Sequence, residues 1–305
     1  MRSLPVLVVL ALAALAAAGG APPKAASPSP SGLIVFSSDR DGDYELFTIG
    51  AEGRGLRRLT RNKVSDSCPS WSPNGRLIAF SRNRGRKQPW GQDLFVMRGD
   101  GTNVRRVLRS TGYDTCPDWS PDGRRLVFSR ARTDAPANDI FSVRLDGRGL
   151  RRLTDNGRSR APAWSTENRI VWQFRFSTIV FDDIFVMNPD GSDQRMLTNS
   201  GDNAEPAWSP DGHRIVYSGI DQNDVLDHEL WVMNADGTEN AKLTERDRFI
   251  RAPSWSPDGR WIVYAYIPTP GKYELGLVRA DGSQPRRLTF NPKHDYDPDW
   301  GPTPR

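Results

Sequence analysis

Asp66, Asp114 and Asp295 each stand three residues before a proline that is followed, two residues on, by a tryptophan. Glu205 and Asp297 stand directly before such a proline, and Arg160 and Arg251 two residues before one. Carboxylates gathered around one channel mouth could hold a hard divalent cation through oxygen ligands. No calcium-loop motif accompanies them, and Arg160 and Arg251 could pair with the acids instead, leaving a hydrated acidic rim. No cofactor is therefore expected. Cys68 and Cys116 occupy the Glu205 position in two consecutive copies of the same phrase. In a sixfold ring, equivalent points in neighbouring copies lie one radius apart. A radius of about 7 Å puts two such cysteines at the upper edge of what a disulfide spans. An oxidising compartment and an even count favour the bond; the other reading is two small buried thiols facing the channel.

A second group of residues falls in connections of variable length. Arg82, Arg84, Arg86, Lys87, Arg130 and Arg132, with Trp90 among them, make one side basic. Asp221, Asp224, Asp227 and His228 make another side acidic. Variable loops on a rigid scaffold collect binding residues, so this face is expected to meet a partner; the plainer reading is two solvated loops. His213, His228 and His294 are the only histidines and lie far apart in the sequence, which argues against a clustered-histidine metal enzyme.

These residues are carried by a repeat. Trp71, Trp119, Trp164, Trp208, Trp255 and Trp300 each close a Pro-x-Trp phrase, at spacings near 46 residues. An alternating strand follows, such as Leu77–Ser81 or Arg214–Ser218. An acidic residue then opens a third strand: Glu45, Asp93, Asp139, Asp183, Glu229 or Glu274. An Asp-Gly turn comes next, with Glu-Gly in the first copy. Six residues beyond each of those glycines stands Leu or Val, usually followed by Thr. Such a period with four short strands reads as an all-β six-bladed β-propeller of four-stranded antiparallel blades. The recurring tryptophans and acids are expected to be structural. The copy beginning at Leu33 lacks its own Pro-x-Trp strand, and Pro298-Asp299-Trp300 supplies it, closing the ring and hiding its edges. The tight turns lie on one face, the variable loops on the other.

The phrase Trp-Ser-Pro-Asp-Gly followed by Asp-Gly and Leu-Thr resembles the PD40 repeat, as in the propeller of the TolB family, and more distantly those of tricorn protease and the prolyl oligopeptidases. The resemblance covers residues 33–300. It implies a propeller that binds protein partners at the cell envelope. TolB itself carries an α/β domain before its propeller, whereas here only a short linker intervenes. Some uronate lyases carry similar repeats and use channel histidines with a divalent metal.

Residues 1–18 read as a secretory signal peptide: one early Arg, an apolar run from Leu4 to Ala18, then small residues. The alternative is an uncleaved anchor, although a span needs ~20 apolar residues. Residues 19–32 read as a Pro/Ser/Ala linker and 301–305 as a tail. The net charge of +5 is nearly all arginine. Nucleic acid is not expected as a partner of an exported chain. The outer-strand pairs Arg57-Arg58, Arg105-Arg106, Arg151-Arg152 and Arg286-Arg287 read as charge that discourages edge pairing. The resulting expectation is an exported, monomeric, non-catalytic binding module for a protein or cell-envelope ligand, touching membrane only through a retained anchor. The alternative is a propeller-type uronate lyase, or another carbohydrate-active enzyme, with a metal at the channel mouth.

Overall fold

A computed structural model describes residues 30–85, 91–110, 112–131, 137–176, 181–199, 201–221, 224–244, 249–268 and 271–302, with the backbone alone at 221 and 224–227. The chain is an all-β propeller of small four-stranded antiparallel sheets. Four sheets stand alone. An eight-stranded one consists of two antiparallel quartets joined by a single parallel bridge, Gln92 to Tyr113. Each quartet runs from a Pro-x-Trp strand through two longer strands to a short outer strand. In the first, strand Asp295–Trp300 pairs with Leu33–Ser38, which pairs with Glu45–Gly50 and then Arg57–Arg58.

Alternation along each strand distributes its side chains between two neighbours. Val35 and Leu46 pack with Trp71, Ile78 and Phe80 of the second repeat. Ile34 and Phe36 point the other way and pack with Trp261, Val263 and Leu277 of the sixth. Among the described residues six apolar clusters result, each drawing on two adjacent repeats. Burying both faces of every sheet stabilises the array, because one four-stranded sheet alone would leave a face in water.

The Asp-Gly column has a packing cause. Gly101 has φ +83°, and a Cβ there would sit 2.8 Å from the Leu59 carbonyl oxygen of the preceding repeat. Glycine therefore satisfies both the left-handed turn and the close approach. Gly53, at φ +81°, also faces Leu288 of the sixth repeat, but at 3.5 Å, an ordinary contact, so there the left-handed turn alone calls for glycine.

Candidate functional site

The site is built where the six Pro-x-Trp strands converge. Proline has no N–H, so it cannot complete the ladder to the second strand. A register break falls beside it in each repeat, as between Ser67 and Ser70. The residue before the proline takes up the slack in left-handed conformation. Cys68, Cys116, Ala161, Glu205, Ala252 and Asp297 all have φ between 47° and 53°. A β-bulge is the device that re-aims a backbone in this way.

The freed N–H groups bind the repeat before them. Cys116 N donates to Ser81 Oγ at 3.1 Å, and Ala161 N to Ser129 Oγ at 2.9 Å. Glu205 N reaches Gln173 Oε1 at 3.4 Å. Ala252 N donates to Glu205 Oε2 at 2.7 Å, and Cys68 N to Asp297 Oδ2 at 3.0 Å. Glu205 and Asp297 are thus brackets between repeats. Cys68 and Cys116 are joined as a disulfide, with their Cα atoms 4.8 Å apart.

One layer beyond, two further carboxylates tie three repeats each. Asp118 accepts from Ser70 Oγ at 3.0 Å and from Trp164 N at 2.6 Å. Asp299 accepts from Ser254 Oγ at 2.9 Å and from Trp71 N at 2.7 Å. Sequence reasoning passed over both as mere links in the Pro-x-Trp phrase. The signal was that x is polar in four copies and alanine in the other two. All four carboxylates line a central cavity of about 520 Å³, bounded by the six Pro-x-Trp segments and by the turn prolines Pro73, Pro210, Pro257 and Pro302. Asp118, Asp297 and Asp299 keep some contact with this cavity, yet protein encloses them. Burial pushes Asp297 up to about 7, with Glu205 adding repulsion. Burial pushes Asp118 up to about 6, with Asp299 adding repulsion, and raises Asp299 as well. Their hydrogen-bond donors are all neutral, so no ion pair offsets that cost.

On the loop face the predicted carboxylates do not converge. Asp66 takes both forks of Arg82, at 2.6 and 2.8 Å, and Asp114 takes both forks of Arg130, at 2.7 and 2.8 Å. Asp295 takes Arg40 at 2.7 Å. Each guanidinium also lies over two phenylalanine rings: Phe36 and Phe47, Phe80 and Phe95, or Phe128 and Phe141. Three arginines of the expected basic patch are engaged within the fold. Arg82 and Arg130 are neutralised by fully buried acids, and Arg84 is held by Asp93 at 3.1 Å and the Gly112 carbonyl at 2.6 Å. Arg86, Lys87, Trp90 and Arg132 lie outside the described residues, as do the side chains of Asp221, Asp224 and Asp227. Arg160 turns to Asp182 at 2.5 Å, an acid that also holds Arg175. Burial opposes the charge on Arg251, but Glu205, Asp202 and the neighbouring tyrosines Tyr273 and Tyr296 together outweigh it, and its pKa lies above the ordinary value.

The histidines stay apart. His228 Nε2 is 2.9 Å from buried Asp202, Tyr273 N donates to His294 Nδ1 at 3.3 Å, and His213 is exposed on the turn face.

The outer-strand arginines also need correction. One of each pair binds the acid of the third strand: Arg58 to Glu45 at 3.1 Å, Arg106 to Asp93 at 3.4 Å, Arg152 to Asp139 at 2.6 Å, and Arg287 to Glu274. Arg58, Arg106, Arg152 and Arg287 thus form ladder-crossing ion pairs, which leaves the edge-guard reading to the other arginine of each pair. The acid column is structural throughout, since Thr60, Thr154 and Thr198 hydroxyls also donate to Glu45, Asp139 and Asp183.

Residues 86–258 match the family pattern described as the TolB beta propeller domain. The chain belongs to the PD40 family. Among solved structures, this PD40 chain is similar to TolB from Acinetobacter baumannii, with a TM-score of 0.76 and 17% identity over 90% of this chain and 68% of that one. It is similar to an oligogalacturonate lyase in complex with manganese, with a TM-score of 0.60 and 16% identity over 84% of this chain and 73% of the lyase. A chain of a nidogen/laminin complex reaches a TM-score of 0.70 at 12% identity, over 89% of this chain and 98% of that one. Proteins named for such different roles share the fold, so these likenesses establish the propeller fold alone and leave activity to the site.

Proposed function

We propose that this protein is an exported, non-catalytic propeller of six blades that binds a segment of a protein or cell-envelope component in its central cavity. Six two-repeat clusters and the pairing of Asp295–Trp300 with Leu33–Ser38 support six blades in a closed ring. The apolar run from Leu4 to Ala18 and the likeness to TolB support export. One observation carries the binding reading: a cavity of about 520 Å³ bounded by all six Pro-x-Trp segments and fixed by bonds from repeat to repeat. A site held that firmly is preorganised, so little ordering entropy opposes a ligand.

The experiment is capture from an envelope extract. Ala163 and Ala207 line the cavity. Ala163→Phe with Ala207→Phe should fill it and lower capture at least tenfold. Arg86→Glu with Arg132→Glu alters the loop face instead. Full capture by the filled cavity, with capture lost in the loop variant, would move the site to the loops. The lyase reading is tested on oligogalacturonate with manganese, where formation of an unsaturated product would replace the binding-module reading.

A further inference from the structure

The turn face is divided by charge. In the first three repeats, segments 52–57, 74–76, 98–105, 122–125 and 144–151 hold ten arginines and four carboxylates. In the last three, segments 166–169, 188–195, 211–214, 234–241, 258–260 and 279–286 hold six arginines and eight carboxylates. The same turns in the same fold thus carry a net +6 on one half and −2 on the other.

The arginines of the basic half are anchored without being neutralised. Arg57 donates to the Asp100 carbonyl oxygen at 2.9 Å, Arg105 to that of Leu145 at 2.8 Å, and Arg125 to that of Gly149 at 2.8 Å. A carbonyl acceptor fixes the side chain and leaves its charge in place. Among the described residues, the one ion pair within these segments is Arg144 with Asp146, at 4.0 Å.

Apolar residues are interleaved with this charge. Leu56, Val104 and Leu150 occupy one repeat position in three successive repeats and are 49%, 40% and 43% exposed. The same position in the next three holds Gln194, Asn240 and Pro285. Gln194 is used for hydrogen bonds to the Leu153 and Gly191 carbonyls, and Asn240 accepts from the Tyr217 hydroxyl. Beside Val104 a groove of about 460 Å³ is lined by Leu77, Val96 and Met97 together with Arg98 and Arg105. The chain also enters the fold at this face. Trp300 Nε1 donates to the Ser31 carbonyl, and Ala51 N to that of Gly32, so residues 31 and 32 are fixed at the turn that carries Arg54 and Leu56.

We infer that the turn face of repeats one to three rests on a lipid bilayer surface rich in anionic headgroups. Arginines meet the headgroup phosphates, while Leu56, Val104 and Leu150 enter the interface between them. A soluble acidic polymer would match the charge but would leave the three apolar residues without a role.

The test measures partition of the full chain onto phosphatidylcholine vesicles with and without one-third phosphatidylglycerol. Each arginine near such a surface contributes about fivefold, so Arg54→Gln, Arg98→Gln and Arg148→Gln together should lower binding about 100-fold. Arg195→Gln, Arg260→Gln and Arg279→Gln together should leave it unchanged. Leu56→Ser, Val104→Ser and Leu150→Ser should also weaken vesicle binding while leaving binding to soluble polygalacturonate unaltered. Residues 1–29 are common to every variant, so differences among variants report the face alone. The proposal is overturned if the wild-type chain shows no preference for the anionic vesicles, or if the two arginine triples behave alike. It is also overturned if the serine triple keeps full vesicle binding, which would make the face a polyanion site.

Discussion

Arginines on the two faces of this propeller do different work, although the same repeats supply them. On the loop face Arg40, Arg82 and Arg130 lie over paired aromatic rings and are paired with Asp295, Asp66 and Asp114, none of which is exposed. On the turn face Arg57, Arg105 and Arg125 end on carbonyl oxygens and keep their charge. A buried acid needs a counter-ion to remain ionised, so it recruits the nearest arginine. The turn acids Asp100 and Asp122 accept from Thr102, Ser120 and Arg124 N of their own turns, so Arg57, Arg105 and Arg125 end on carbonyls and remain available. Counting basic residues along the chain cannot separate these populations; strand register can.

The largest expected effect follows from breaking the first population. Arg82→Ala would leave Asp66 buried and unpaired, and should cost about 3–5 kcal/mol in urea unfolding. Asp66→Asn with Arg82→Gln should recover part of that loss. A cost below about 1 kcal/mol for Arg82→Ala would mean that the pair is a surface contact.

Next in size is the disulfide. It closes a separation of 48 residues between neighbouring repeats. Cys68→Ser with Cys116→Ser should lower stability by about 2–4 kcal/mol. An unchanged Tm under reducing and oxidising conditions would contradict this.

The cavity acids predict a pH dependence of stability. Asp297 and Asp118 titrate near 7 and 6 in the folded chain and near ~3.9 unfolded. Between those limits the native state binds more protons, so stability falls as pH rises through the window from about 4 to about 7. Tm should therefore be lower at about pH 8 than at about pH 5, and Asp297→Asn should flatten that slope. A slope unchanged in the variant would remove Asp297 from the account.

Substitutions in the second population should have the smallest effect. Arg98→Gln or Arg148→Gln should shift stability by no more than about 0.5 kcal/mol, because no buried partner is orphaned.

The scaffold was legible in the sequence because its period is strict. The Pro-x-Trp phrase located every inner strand, and the pairing of Pro298-Asp299-Trp300 with Leu33–Ser38 followed from the incomplete copies at each end. The ring of residues before the prolines was also legible as a ring. Its chemistry was not. That Cys68, Glu205 and Asp297 sit in left-handed bulges depends on how proline breaks the ladder. The pairing of Asp66 with Arg82 depends on register across the resulting hairpin, where the two residues face each other. Reading the loops by charge alone therefore left out the acids that pair with Arg82 and Arg130. The turn-face asymmetry did have a sequence signal, in Leu56, Val104 and Leu150 set against Gln194, Asn240 and Pro285, but it emerges only when repeats are compared with one another.

The two populations can be measured together. Residue-resolved modification of the folded chain by phenylglyoxal, followed by mass spectrometry, reports which guanidinium groups are free. Arg54, Arg98 and Arg148 should react first, while Arg82, Arg84 and Arg130, whose side chains are 20%, 10% and 18% exposed, should resist until the protein unfolds. Equal rates across the six, or faster reaction of the loop-face three, would contradict the division of the propeller into a neutralised face and a charged one.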